Sequence, residues 1–288
     1  MKSLTISLIS ISLSLFSFQN LLSSKEPFYW ESKKNIIFYK IKIKNASSFS
    51  YYYKPSGIKE KIPIIIILPH LSGGIFIEKI ICKKFAKEKI ATLLIEEVYQ
   101  NEYNFFKAKK SITGDKSLNM IKQILMQSLN DIEIYINWVR KQPEIDNSKI
   151  GILGISMGAI VGSVAIARLQ CFNKAVLILG GADIPYLIFH SSLTKKLRAK
   201  LIKEKISEEN IKEILNQVDP LNYSYNGLKS NILMVNAIKD KIIPKKCVEE
   251  LHEALGNPEI MWLNGGHYSS IFYFFKILDK SIKFFKNP

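Results

Sequence analysis

The stretch that decides the fold is Ile150-Gly151-Ile152-Leu153-Gly154-Ile155-Ser156-Met157-Gly158-Ala159-Ile160-Val161-Gly162. Its first half, with Lys149 in front, is an apolar run of the length of a buried strand. Its second half repeats small residues at Ala159, Gly162, Ser163 and Ala165, which lets a helix lie close to the strand it has just left. Between them Gly154-Ile155-Ser156-Met157-Gly158 fits Gly-x-Ser-x-Gly, the tight strand-to-helix turn that holds a serine hydroxyl at its tip. Glycine two positions either side of the serine is required because a side chain there collides with neighbouring backbone. A pentapeptide of such common residues is a weak signal alone; strand, turn and helix in this order give it weight.

Outward from that stretch, strand and helix patterns alternate. On the N-terminal side, Asn35 to Asn45 alternates lysine with Ile and Tyr, the period of a half-exposed strand, with Phe49 to Tyr53 as its hairpin partner. Ile62 to Leu68 is apolar throughout, as in a central strand covered on both faces, with Pro63 confined to its start because proline cannot donate within the ladder. A helix from about Ile75 to Lys89, a strand over Ile90 to Ile95 and a helix from about Leu118 to Lys141 follow, Trp138 of the last being a core residue. On the C-terminal side come strands at Lys174–Leu179, Asn231–Ala237 and Glu259–Leu263, a helix at Lys245–Leu255 and a closing helix from Tyr268 to Phe285. This alternation predicts an α/β domain with a mostly parallel sheet and helices on both faces. Two segments stand outside it: the aromatic stretch 96–117, and 184–218, helix-like, lysine-rich and of the size of a small cap.

Length, composition and charge narrow the class further. The 288 residues suit one domain spanning 25–288. A hydrophobic content of 47% excludes a disordered chain. The net charge of +16 invites a nucleic-acid reading, but the arginines are only Arg140, Arg168 and Arg198, and arginine is the residue of bidentate phosphate and base recognition. We therefore expect no nucleic-acid partner, while contact with a membrane or another anionic surface stays open. Cys82, Cys171 and Cys247 are too few and too far apart for a disulfide framework or a metal site, and read as buried free thiols. Residues 1–24 begin with Lys2, run apolar from Leu4 to Phe18 and exit through Ser23-Ser24, the plan of a secretory signal peptide. The expected location is secreted or periplasmic, with an uncleaved N-terminal membrane anchor as the alternative.

A serine hydroxyl is a poor nucleophile unless a base takes its proton and an acid orients that base. Of four histidines, His252 sits among Glu249, Glu250 and Glu253 and reads as a solvated surface residue, His190 lies in the cap-like segment, and His70 precedes the serine. His267 alone follows the last strand in a glycine-flanked loop, and is assigned as the base. Chain order Ser, Asp/Glu, His places the acid between Ser156 and His267. Asp240, at the end of a buried strand, is the choice and Asp183 the substitute, while Asp219 before Pro220 reads as a turn or cap residue. These groups all fall at carboxyl ends of strands, where open α/β sheets place their sites. Oxyanion donors are expected from the Met157 N–H and from the loop Pro69-His70-Leu71-Ser72-Gly73-Gly74, with Leu71 N–H first and Ser72 next. Gly73 and Gly74 would let that loop approach substrate, and His70 would position the loop or bond the substrate.

With Gly-Ile-Ser-Met-Gly around Ser156, Lys-Asp-Lys-Ile-Ile-Pro around Asp240 and Gly-Gly-His267, the chain resembles the α/β-hydrolase superfamily from about Asn35 to Asn287. Within it, the likeness is to the serine esterase and dienelactone-hydrolase-like branch, which includes acyl-aminopeptidase-like members. The resemblance implies an α/β-hydrolase fold of about eight strands, a Ser156–Asp240–His267 triad, hydrolysis of a small-molecule carboxylic ester through an acyl-enzyme, and no metal or organic cofactor. Two departures matter. Dienelactone hydrolases proper carry cysteine where Ser156 stands, and the loop at His70 is not His-Gly-Gly-Gly. A peptidase, a membrane-surface lipid hydrolase docking through 96–116 or the lysine-rich cap, and a catalytically silent binding protein remain the alternatives. The sequence does not fix the oligomeric state, and fold alone says little about substrate.

Overall fold

The computed structural model describes residues 29–33 (backbone alone), 35–71, 75–96, 113–223, 225 and 231–287. They form one nine-stranded sheet of order β1-β2-β3-β5-β4-β6-β7-β8-β9. Its strands are β1 (Tyr29–Lys33), β2 (Ile36–Ile41), β3 (Ser50–Pro55), β4 (Ile62–Leu68), β5 (Ala91–Ile95), β6 (Ile145–Ile155), β7 (Lys174–Ile178), β8 (Asn231–Ala237) and β9 (Glu259–Leu263). The first three meet their neighbours antiparallel, and the six from β5 to β9 are parallel. Eight strands were expected; β1 is the addition, a five-residue edge strand laid antiparallel on β2.

Both faces of the central strands are apolar, and side-chain alternation divides the core in two. Ile64, Ile66, Leu68, Ile152, Leu177 and Met234 point to one face, and Ile65, Ile67, Leu153, Val176 and Val235 to the other. The first face is covered by α2 (Gly114–Val139), α3 (Met157–Leu169) and α7 (Lys245–Ala254), the second by α1 (Phe76–Lys87) and α8 (Phe274–Lys286). Trp138 lies in the first core, edge-on to Tyr52 at a centroid distance of 5.3 Å. Pro63 sits where the β4–β6 register shifts, between Ile62 and Ile64, so its missing N–H costs the ladder nothing.

Two helix boundaries differ by more than two residues from those read off the sequence. Helix α2 begins at Gly114 rather than Leu118, because Thr113 caps it and Glu204, remote in sequence, accepts the Gly114 N–H with both carboxylate oxygens (2.9 and 2.8 Å). The closing helix splits into a 3₁₀ turn, Ser269–Tyr273, and α8. Ser269 Oγ takes the Gly266 N–H and Ser270 Oγ donates to Gly266 O, and these local side-chain bonds tighten the first turn.

The segment 184–218 forms three short helices, α4 (Ile184–His190), α5 (Lys195–Lys203) and α6 (Glu208–Leu215). Leu201, Ile211 and Leu215 are wholly buried in the first core, so this insertion packs down onto the domain through one apolar stripe. Most of the aromatic segment 96–117, from 97 to 112, lies outside the described residues.

Candidate active site

Ser156 caps α3 with φ 55° and ψ −115°, a backbone conformation that L residues rarely adopt, and its own N–H is held by Ile178 O at 2.7 Å. The flanking glycines are dictated by close approach. A Cβ on Gly154 would stand 2.2 Å from Gly158 O, and one on Gly158 would stand 2.4 Å from Leu68 O and 2.6 Å from Pro69 O. The second pair of contacts is informative: the turn at Ser156 packs directly against the start of the 69–71 loop.

His267 Nε2 lies 2.9 Å from Ser156 Oγ, and its Nδ1 lies 2.7 Å from Asp240 Oδ2. A carboxylate only accepts, so Nδ1 carries the proton and Nε2 presents its lone pair to the serine hydroxyl. The second oxygen, Asp240 Oδ1, accepts from Ile242 N (2.7 Å) and Ile243 N (3.0 Å), which fixes the carboxylate plane. The two loops that carry Asp240 and His267 are joined: Ile238 N donates to Leu263 O and Lys239 N to Gly265 O. Asp183, the substitute acid, is elsewhere. It caps α4 through Tyr186 N and faces Lys246 Nζ at 3.3 Å. Asp219 is a cap, as its position before Pro220 suggests: it takes the N–H groups of Asp183, Ile184 and Leu221, and burial pushes its carboxyl upward.

The N–H groups of the first helical turn have no partner within the helix, which leaves the Met157 N–H at the start of α3 beside Ser156. Leu71 lines the same cavity as Ser156 and His267. Ser72, Gly73 and Gly74 lie outside the described residues. His70 is anchored: its Nδ1 stands 2.7 Å from Glu78 Oε1, and its backbone N–H donates to the same oxygen at 3.3 Å. Of the other two histidines, His190 stacks on Tyr186. His252 is half-buried with Nε2 2.8 Å from Pro258 O, tied to the loop after α7 rather than freely solvated, because that loop folds back over it.

Glu78 is the site-lining residue that sequence reasoning missed. It is a wholly buried acid whose Oε2 has no hydrogen-bond partner among the described residues. A signal existed, since Glu78 falls on the line of Ile81, Cys82 and Phe85, the buried stripe of α1. An acid in a first helical turn reads more readily as a partner of the helix dipole. The cavity itself, about 280 Å³, is built mainly of aliphatic side chains between α1 and α8, with Ile81, Leu153, Ile178, Ile277 and Leu278 in its wall. Of the insertion 184–218, Leu193 is the residue that reaches it. Among the described residues no group of three or more His, Cys, Asp or Glu is placed to hold a metal ion. Burial pushes the Cys82 and Cys247 thiols up to about 12, while Cys171 is half-buried.

Ser156 at a strained turn after β6, the third of the parallel strands in sequence, with Asp240 and His267 on the loops after β8 and β9, is the arrangement of an α/β hydrolase. The pattern of the dienelactone hydrolase family matches residues 50–261, and the chain belongs to that family. In fold it is similar to an acetyl xylan esterase from Paenibacillus sp. R4, at 17% identity and a TM-score of 0.69 over 94% of this chain and 93% of that one. It is similar also to the acylaminoacyl peptidase of Pyrococcus horikoshii, at 17% identity and a TM-score of 0.63 over 91% of this chain and 41% of the peptidase. In sequence it matches an uncharacterized protein of Mycobacterium tuberculosis (strain H37Rv), 27% identical over 142 residues. That match takes in 49% of this chain and spans a third of the relative's length (33%).

Proposed function

We propose that this hydrolase cleaves carboxylic esters through an acyl-enzyme on Ser156. The observation that carries the reading is the continuous relay from Asp240 through His267 to Ser156 Oγ, with separations of 2.7 and 2.9 Å, opening onto an aliphatic cavity. In the first half-reaction Ser156 Oγ attacks the carbonyl carbon as its proton passes to His267 Nε2. The oxyanion meets the N–H groups of Met157 and Leu71. Collapse expels the alcohol, which takes the proton from His267. Water then attacks the acyl-enzyme by the same route in reverse, returning the proton to Ser156 and releasing the acid.

The largely apolar cavity lining suits an acyl chain. The likeness to a peptidase, at 17% identity, supports the fold alone. The test is labelling with a fluorophosphonate, followed by hydrolysis of matched ester and amide substrates. Labelling that disappears in Ser156→Ala, with turnover of the ester well above the amide, is the expected result. A folded protein that takes no label would sink the reading and leave a binding protein in its place.

A further inference from the structure

The loops that carry Asp240 and His267 leave an apolar surface in the open. Phe272 is 87% exposed, Tyr268 74% and Phe275 70%, with Ile271 and Ile238 also exposed beside them. Large apolar side chains clustered on a surface mark a place of contact. This cluster adjoins the cavity of Ser156: Tyr268 and Ile271 line that cavity, while Phe272 and Phe275 stand outside it. The cluster also has a charge. Lys239, Lys241 and Lys276 are exposed on the same two loops and the start of α8, and no acidic residue occurs from Asn264 to Lys276. The hydrogen bonds Ile238 N to Leu263 O and Lys239 N to Gly265 O make both loops one surface.

We propose that this surface docks the protein on an anionic phospholipid surface, with the mouth of the cavity turned toward the lipid. Aromatic side chains entering the headgroup boundary, rimmed by lysines, are the elements of peripheral membrane attachment. A second copy of the chain fits less well, because a two-fold contact would set the same lysines against each other. A water-soluble substrate gives no reason to expose phenylalanines at the entrance. The face differs from the two considered from sequence, the segment 96–116 and the lysine-rich insertion.

The test is co-sedimentation of the full chain with phosphatidylcholine vesicles, with and without phosphatidylglycerol, beside Phe272→Ser/Phe275→Ser and Lys239→Gln/Lys276→Gln. The unaltered chain should bind the anionic vesicles and release them with salt. The double serine variant should lose on the order of tenfold in partitioning. The double glutamine variant should lose about fivefold for each lysine and show a shallower salt dependence. Hydrolysis of a water-soluble short ester by the serine variant should be unchanged, which shows that it folds. Ser156→Ala should bind vesicles as before, so failure of the ester-hydrolase reading would leave this one intact. Equal binding by the serine variant would overturn the proposal and assign attachment to another part of the chain. Equal binding to neutral vesicles would overturn it as well. So would a dimer in solution that the serine variant dissociates, since the occupant would then be a second copy.

Discussion

Replacing Asp240 by Asn tests the relay at its most constrained point. The two carboxylate oxygens have different partners: Oδ1 takes the N–H groups of Ile242 and Ile243, and Oδ2 faces His267 Nδ1. An asparagine must choose which side receives its NH₂ group. Turning it toward the two backbone donors would leave both unsatisfied, at a cost of about 1–3 kcal/mol each. The amide nitrogen is therefore driven toward His267, which must accept through Nδ1 and carry its proton on Nε2. The Ser156 hydroxyl then faces a donor and cannot be deprotonated. Loss of the right tautomer in such a relay lowers kcat by about 10⁴, or roughly 5.5 kcal/mol of transition-state stabilisation. Initial rates on a chromogenic ester at pH 8 measure the loss, and circular dichroism shows that the variant is folded. Asp183→Asn is the control, because asparagine caps a helix as well as aspartate does. A folded Asp240→Asn that keeps a tenth of the parent kcat/KM would refute the reasoning, as would an equal loss in Asp183→Asn.

Other expectations concern the elbow, the cavity and the thiols. Gly158→Ala pushes a methyl into Leu68 O and Pro69 O, and should lower Tm by on the order of 5–10 °C together with activity, by thermal melting and initial rates. If the cavity takes the acyl chain, kcat/KM should rise about fourfold for each methylene added to an ester series until the space is filled. Ile277→Trp should move that limit to shorter chains while leaving acetyl esters little changed. With Cys82 and Cys247 held at about 12, a thiol reagent at pH 8 meets a thiolate fraction on the order of 10⁻⁴ at each. Mass spectrometry should then find at most one modified cysteine, Cys171, in the native protein and three after denaturation.

The sequence was most legible where local pattern and burial agree. Strands β8 and β9 were bounded to the residue, because each is a short apolar run between turn-forming residues. Ser156, Asp240 and His267 could be picked out because parallel strands all deliver their C-terminal loops to one edge, so strand order substitutes for distance. What stayed hidden depends on partners far along the chain. The start of α2 rests on Glu204, ninety residues beyond Gly114, as well as on the local cap Thr113, and the sequence around 114 announces only the second. The division of labour between Asp240 and Asp183 is set by which loop reaches His267. Glu78 was missed because burial of an acid follows from the cavity wall around it. The exposed face at Phe272 and Phe275 was concealed within a helical pattern whose first turn runs 3₁₀.

The backbone at Ser156 carries one more consequence, for how such a chain can change. A non-glycine residue with φ 55° and ψ −115° costs on the order of 1–3 kcal/mol, and glycine would relieve it. Ser156→Gly should thus be inactive yet melt higher than the parent, by calorimetry. Selection for stability alone runs against the serine, so a lineage that kept this scaffold only to hold a ligand would be expected to shed it. A serine in that posture supports the hydrolase reading over the silent one. The elbow is a standing mutational liability, and turnover is the benefit that would repay it.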